Sequence, residues 1–315
     1  MLQITPNSSF KPINFGEKTK YSQDNKDNPG FFKKSIAGTA GLLAVTPLSI
    51  VPIFSSHLLQ NQMVKLNKSL SSDAVKSLNE AGNKILKDSG LEKQGVEILR
   101  KIPMIRLPNI PYFPKKINKI LKSMNPLYQF KMGRNAVYNT EVKKILVSNK
   151  IALSQFHELG HAMNDNFGKV GKFLQNIRKD LIFRRAFKKT PLSGKIALFG
   201  VALLPLVSIF KNKKAEGEKP KGIFDRTTTF IKNNVGKLTF LTMLPIVAEE
   251  ALASYKGEKA VKNLINKDLF KKVKMCNRFG LMTYVTISVV AGFSAMLASK
   301  IRDKIAQPNL NKNNA

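Results

Sequence analysis

Two long stretches of this chain carry no charge. Between Lys34 and Lys65 lie thirty uncharged residues, "SIAGTAGLLAVTPLSIVPIFSSHLLQNQMV", and between Arg278 and Lys300 lie twenty-one, "FGLMTYVTISVVAGFSAMLAS". A helix of about 20 apolar residues crosses a hydrocarbon layer of about 30 Å, so each run is long enough to span. Basic residues flank both. The first run starts more than thirty residues into the chain and ends without a clear small-x-small site, which argues against a cleaved signal peptide. Pro47 and Pro52 would kink it, and membrane helices tolerate such kinks. Two shorter runs, 196–210 and 238–248, suit buried or half-inserted helices; the second meets Glu249 and Glu250 and continues as a segment to 254. The expected fold class is mainly α: a helical, multi-pass membrane protein with spans at 35–60 and 279–299 and up to four in all.

The remaining segments divide by composition. Residues 1–34 form a polar tail expected to be disordered. In 61–100 the leucines and isoleucines recur at helical spacing, with Gly82 and Gly90 as weak points, and the proline-rich 101–114 begins a connector reaching 130. From 131 to 255 the pattern changes, and a site-bearing core is expected there. "NAVYN" and "KKILVS" read as short strands, followed by a helix from about Ile151 to Asn166 closed near Gly168. Residues 169–195, with "RRAFKK", read as a basic amphipathic stretch against lipid or the site helix. Residues 256–278 read as a basic helical segment, and 300–315 as a basic tail.

Lys and Arg number 53 against 20 Asp and Glu, a formal net charge of +33. Part of that excess is a compositional habit, since lysines are spread along the whole chain. The rest favours anionic surfaces. With apolar spans present, anionic lipid is the expected partner and nucleic acid is not. The single cysteine, Cys276, excludes an intrachain disulfide and is expected to be incidental.

Of only three histidines, two fall in "SQFHELGHAMND" at 154–165. His157 and His161 are four residues apart, hence on one helix face a turn apart. Two imidazoles so placed can converge on one ion, and zinc takes neutral His nitrogens in a tetrahedral site. Glu158 projects beside them. In the chemistry this implies, zinc acidifies a water and polarises a scissile carbonyl, while Glu158 takes the water's proton and delivers it to the leaving amine. Gly160 leaves room beside the site. His57 lies inside the first apolar run and reads as interface packing. A catalytic zinc needs a third protein ligand. Glu249 and Glu250 are the candidates, because an ionisable residue near membrane depth is costly without a function.

These residues resemble a known group. "HELGHA", followed downstream by Glu-x-x-Ala, is similar to the glutamate-ligand zinc metallopeptidases (gluzincins), and in particular to the membrane-embedded CaaX-prenyl-protease and heat-shock-protease group. The resemblance covers about 35 residues around HELGH and about 10 around Glu250. It implies one zinc per chain, and it places Glu250 on the family's ligand Glu and Ala253 on its Ala. The family's next residue is an Asp that orients a metal-binding histidine; here Ser254 stands in that place, and Asp165 is a second candidate for the role. It also implies an Asn-Ala strand and a following hydrophobic strand before the zinc helix, matched by Asn135-Ala136 and by Ile145, Leu146 and Val147. The latter strand is expected to offer a free edge to an extended substrate. The function implied is a zinc endopeptidase acting on membrane-proximal or unfolded polypeptide. The opposing reading is a basic, non-enzymatic membrane protein whose HELGH is accidental or degenerate.

Overall fold

The computed structural model describes residues 30–100, 136–182, 200, 203–214 and 217–307. The polar tail to 29, the connector at 101–135 with Asn135, the basic stretch 183–199 and the tail from 308 lie outside the described residues. The chain is mainly helical, with one small sheet. Its elements are α1 (Phe31–Val45), α2 (Ile50–Lys68), α3 (Ser72–Asp88), β1 (Glu97–Leu99), β2 (Val137–Asn139), β3 (Lys144–Leu146), α4 (Gln155–Asn166), α5 (Lys169–Ile182), α6 (Leu204–Phe210), α7 (Gly222–Val261) and α8 (Lys267–Ala306).

The first apolar run is not one helix over 35–60. A 3-10 turn at Thr46–Ser49 splits it into α1 and α2. Pro47 and Pro52 account for the break, since neither can donate the backbone hydrogen bond that would carry an α-helix through. Among the described residues one helix, α8, is long and apolar enough to cross a membrane. The basic stretch 256–278 is the end of α7, a short turn and the start of α8.

The helical reading of 61–100 also ends early. Ser71 caps α3 by accepting from Ala74 N–H at 3.2 Å, and Gly90 follows its end in the left-handed region at φ 76°. Gly95 turns the chain again at φ 80°, and Glu97–Leu99 is then a strand. It pairs in parallel with β3, Ile98 opposite Ile145, while β2 pairs antiparallel on the other side, Tyr138 opposite Ile145. The order is β1-β3-β2.

The main core joins this sheet to the helices around it. Leu78 and Ile85 of α3, Tyr138 and Ile145 of the sheet, Phe156 and Leu159 of α4, Val261 of α7 and Val273 of α8 are all buried together. Each such side chain contributes roughly 1.5–3 kcal/mol of transfer free energy. Cys276 belongs to the same core; its thiol lies 3.4 Å from Ser154 Oγ, and burial pushes its pKa up to about 11. It is therefore an inert packing residue, as expected.

Beyond residue 278 the packing inverts. Buried positions along the apolar part of α8 are small: Ser288, Gly292, Ala295, Ala298 and Ser299. Its large side chains, Met282, Val285, Val289 and Phe293, recur at helical spacing and point outward. Only 17% of the apolar window is buried within the protein, whereas the core helix of a soluble domain is mostly covered. The small positions let backbones meet. A Cβ on Gly292 would lie 2.8 Å from Gly236 O of α7, and one on Gly41 of α1 would lie 2.6 Å from Ala298 O.

Polar groups close the far end of this bundle. Lys232 Nζ reaches Asp303 Oδ1 at 2.6 Å and Ser208 O at 2.8 Å. Arg302, fully buried, reaches Asp303 Oδ1 at 3.0 Å and Asn212 Oδ1 at 2.9 Å. Gln307 bonds the backbone of Lys213, so the 211–214 loop and the end of α8 sit together. The basic turn between α7 and α8 lies at the opposite end of the hairpin. The basic segments are thus divided between the two ends of the hairpin.

Candidate metal centre

The site forms where α4 crosses α7 at backbone contact. A Cβ on Gly160 would lie 1.9 Å from Ala253 O, and one on Gly257 would lie 1.9 Å from Phe156 O. Only glycine at both positions permits this approach. It sets the histidine pair of α4 directly against the paired glutamates of α7. Glu250, Ala253 and Gly257 lie three and four residues apart, on one face of α7, and that face meets α4.

Three donor atoms converge there. His157 Nε2 is 2.9 Å from Glu250 Oε2 and 3.0 Å from His161 Nε2, and Glu250 Oε2 is 3.4 Å from His161 Nε2. The other imidazole nitrogens are held from behind. His157 Nδ1 is 3.0 Å from Ser254 Oγ, and His161 Nδ1 is 2.8 Å from Glu249 Oε1. The Glu249 carboxylate accepts, so His161 carries a proton on Nδ1 and turns Nε2 inward. Two imidazole nitrogens and a carboxylate oxygen facing one another need a shared proton or a cation among them. Ligands of a tetrahedral zinc lie roughly 3.3 Å apart, given Zn–N and Zn–O bonds of about 2.0–2.1 Å. The observed triangle fits such an ion with a small expansion. The side chains of His161, Glu249 and Glu250 are fully buried, whereas His157 is 13% exposed and marks the solvent side.

Glu158 stands beside the two histidines of this triangle. Its ligand atom lies within 4.8 Å of those of both histidines. Tyr138 N–H donates to Glu158 Oε2 at 2.6 Å, so strand β2 anchors one carboxylate oxygen. Tyr138 Oη in turn lies 3.1 Å from Asp165 Oδ2. Burial, reinforced by the Asp165 charge, raises the tyrosine pKa, so the phenol stays protonated and donates.

One expectation about the surroundings needs correction, and it concerns the sheet. Asp165 Oδ2 meets Tyr138 Oη at 3.1 Å, and Asn164 donates from Nδ2 to Glu249 Oε1 at 3.2 Å. The strand carrying Ile145, Leu146 and Val147 has no free edge: β1 and β2 occupy both its sides. The edge beside the site belongs to Val137–Asn139, because β1, from upstream of the connector, takes the other side of β3. Ser254 does stand behind His157, and Glu250 rather than Glu249 meets both inner nitrogens. Tyr138, Asn164 and Gly257 were not singled out by sequence. Only Gly257 carried a signal, four residues after Ala253, as a second small residue on the face that bears Glu250. His57 is exposed on α2 and separate from the site.

No protein-family model matches the chain, and neither does any curated protein or solved structure.

Proposed function

We propose that this chain is a zinc-dependent endopeptidase attached to a membrane. The observation that carries the reading is the triangle of His157 Nε2, His161 Nε2 and Glu250 Oε2, with the Glu158 carboxylate beside it. The resemblance to the gluzincins supports it at the same residues. A zinc ion held there would supply Lewis acidity, polarising a peptide carbonyl and acidifying the attacking water. The remaining work falls to the protein. Glu158 takes a proton from the water as its oxygen adds to the carbonyl carbon, and passes that proton to the amine nitrogen as the C–N bond breaks. The hydrogen bond from Tyr138 N–H keeps the carboxylate turned toward the reacting atoms. An extended substrate would dock beside Val137–Asn139 through the outward carbonyl of Tyr138, because the outward Tyr138 N–H is already given to Glu158.

Cleavage is tested on the detergent-purified chain with an unfolded polypeptide. The expected result is hydrolysis that a zinc chelator stops and added zinc restores. Hydrolysis indifferent to the chelator contradicts the zinc reading, and none from zinc-loaded protein favours a non-enzymatic membrane protein.

Membrane attachment is supported by the inverted packing of α8, with small residues inward and large apolar ones outward, as lipid-embedded bundles require. The outward apolar residues of α1 and α2, among them Phe32, Ile36, Leu43, Phe54 and Leu58, extend that zone. The +33 net charge favours an anionic leaflet. The chain is expected to stay in the membrane pellet through alkaline carbonate extraction. Its release would reduce α8 to a helix covered by a protein partner.

A further inference from the structure

Glu249 and Glu250 are adjacent, and only one of them faces both inner nitrogens. Glu249 Oε1 instead meets His161 Nδ1 at 2.8 Å, on the opposite edge of the ring, with both side chains fully buried. Its orientation is itself fixed. Asn164 Nδ2 donates to Glu249 Oε1 at 3.2 Å and lies 3.5 Å from the Glu249 backbone carbonyl oxygen. Gly171 of α5 packs on Asn164, where a Cβ would lie 3.0 Å from the Asn164 backbone. The first histidine has no such partner, because the hydroxyl of Ser254 is neutral.

From this geometry we infer that Glu249 is a positioning residue. It supplies from behind His161 the carboxylate that a residue at position 254 would supply behind His157, so the carboxylate–imidazole pair sits on the second histidine of this site. The inference rests on the metal-site reading above. A carboxylate at Nδ1 fixes the tautomer with Nε2 unprotonated, locks the ring plane and makes Nε2 a stronger donor to a metal. Serine cannot do the same for His157, because its hydroxyl can turn to donate or accept. His161 is then the better-oriented of the two imidazoles, and the Asn164–Glu249 pair is part of the centre though neither touches the ion.

The test measures zinc dissociation constants, by competition with a chromophoric chelator, and the visible absorption of the cobalt(II)-loaded protein. It uses the full chain in detergent as wild type, Glu249→Ala, Glu249→Gln and Glu250→Ala. Glu249→Ala should bind zinc about 10–100-fold more weakly while its saturated cobalt spectrum stays that of wild type, because the ligands are unchanged. Glu249→Gln should lose less, since its amide oxygen still accepts from Nδ1. Glu250→Ala should alter the spectrum itself. A merely structural role would lower thermal stability without separating Gln from Ala in affinity. If Glu249→Ala fails to fold, Glu249→Gln together with Asn164→Ala carries the test, each with a smaller loss and an unaltered spectrum. Wild-type affinity in Glu249→Ala overturns the inference. So does an altered spectrum in Glu249→Ala with an unaltered one in Glu250→Ala, which would make Glu249 the ligand. Wild-type protein that binds neither metal overturns the metal-site reading instead.

Discussion

A Glu158→Gln chain is expected to keep its zinc and lose its peptidase activity, with kcat falling by about 10²–10⁴-fold, the usual contribution of a positioned general base. The two states of the side chain differ little in shape. Glutamine can still accept from Tyr138 N–H, the bond that anchors Glu158 Oε2 at 2.6 Å. The substitution therefore leaves β2 and α4 where they are. The ligand atoms of His157, His161 and Glu250 are untouched, so metal content should not change. An amide, however, cannot take a proton from water near neutral pH. Steady-state cleavage of an unfolded polypeptide, measured beside the zinc content of the same preparation, checks both halves. Turnover within a few-fold of wild type would remove Glu158 from the mechanism.

The second large effect is expected at a residue with no titrating group of its own. Gly160→Ala should abolish tight zinc binding and destabilise the fold by more than the ~1–3 kcal/mol typical of an overfilled core. The new Cβ would meet Ala253 O at 1.9 Å, its carbonyl carbon at 2.6 Å and its Cα at 2.9 Å. These are backbone atoms, and no rotamer change moves them aside. Helices α4 and α7 must separate, and Glu250 leaves the histidines when they do. Gly257→Ala should behave alike, because its Cβ would strike Phe156 O from the other side of the same crossing. The control is Gly280→Ala on α8, where nothing lies within 4 Å. That substitution should leave zinc affinity unchanged and add about 0.5–1 kcal/mol of helix stability. Zinc affinity and thermal unfolding of the three variants separate the outcomes; tight binding retained by Gly160→Ala would show that the crossing does not set the site.

The chemistry was legible where it is local. His157, Glu158 and His161 fall within a turn and a half of one helix, so their arrangement follows from helical spacing alone. The strands β2 and β3, though not their pairing, and the close of α4 near Gly168 were legible for the same reason. What depends on distant pairing was not. The central position of β3 requires Glu97–Leu99 to pair across the intervening connector, and Glu97–Leu99 was read into the helical pattern of 61–100. The difference between Glu249 and Glu250 depends on how far α7 is rotated about its axis, which its contact with Gly160 fixes. Asp165 was named as a candidate partner for a histidine; it meets Tyr138 of the sheet, and the carboxylate against His161 Nδ1 comes from Glu249 of α7, a pairing between distant segments. The first apolar run shows a further limit: composition gives its length, but Pro47 and Pro52 decide that it breaks.

The most direct measurement is the metal content of the purified, zinc-loaded chain by plasma mass spectrometry, set against His157→Ala prepared in parallel. Convergence of His157, His161 and Glu250 on one ion predicts about one zinc per wild-type chain and almost none in the variant. A wild-type chain that retains no zinc, or a His157→Ala chain that retains as much as wild type, would contradict it.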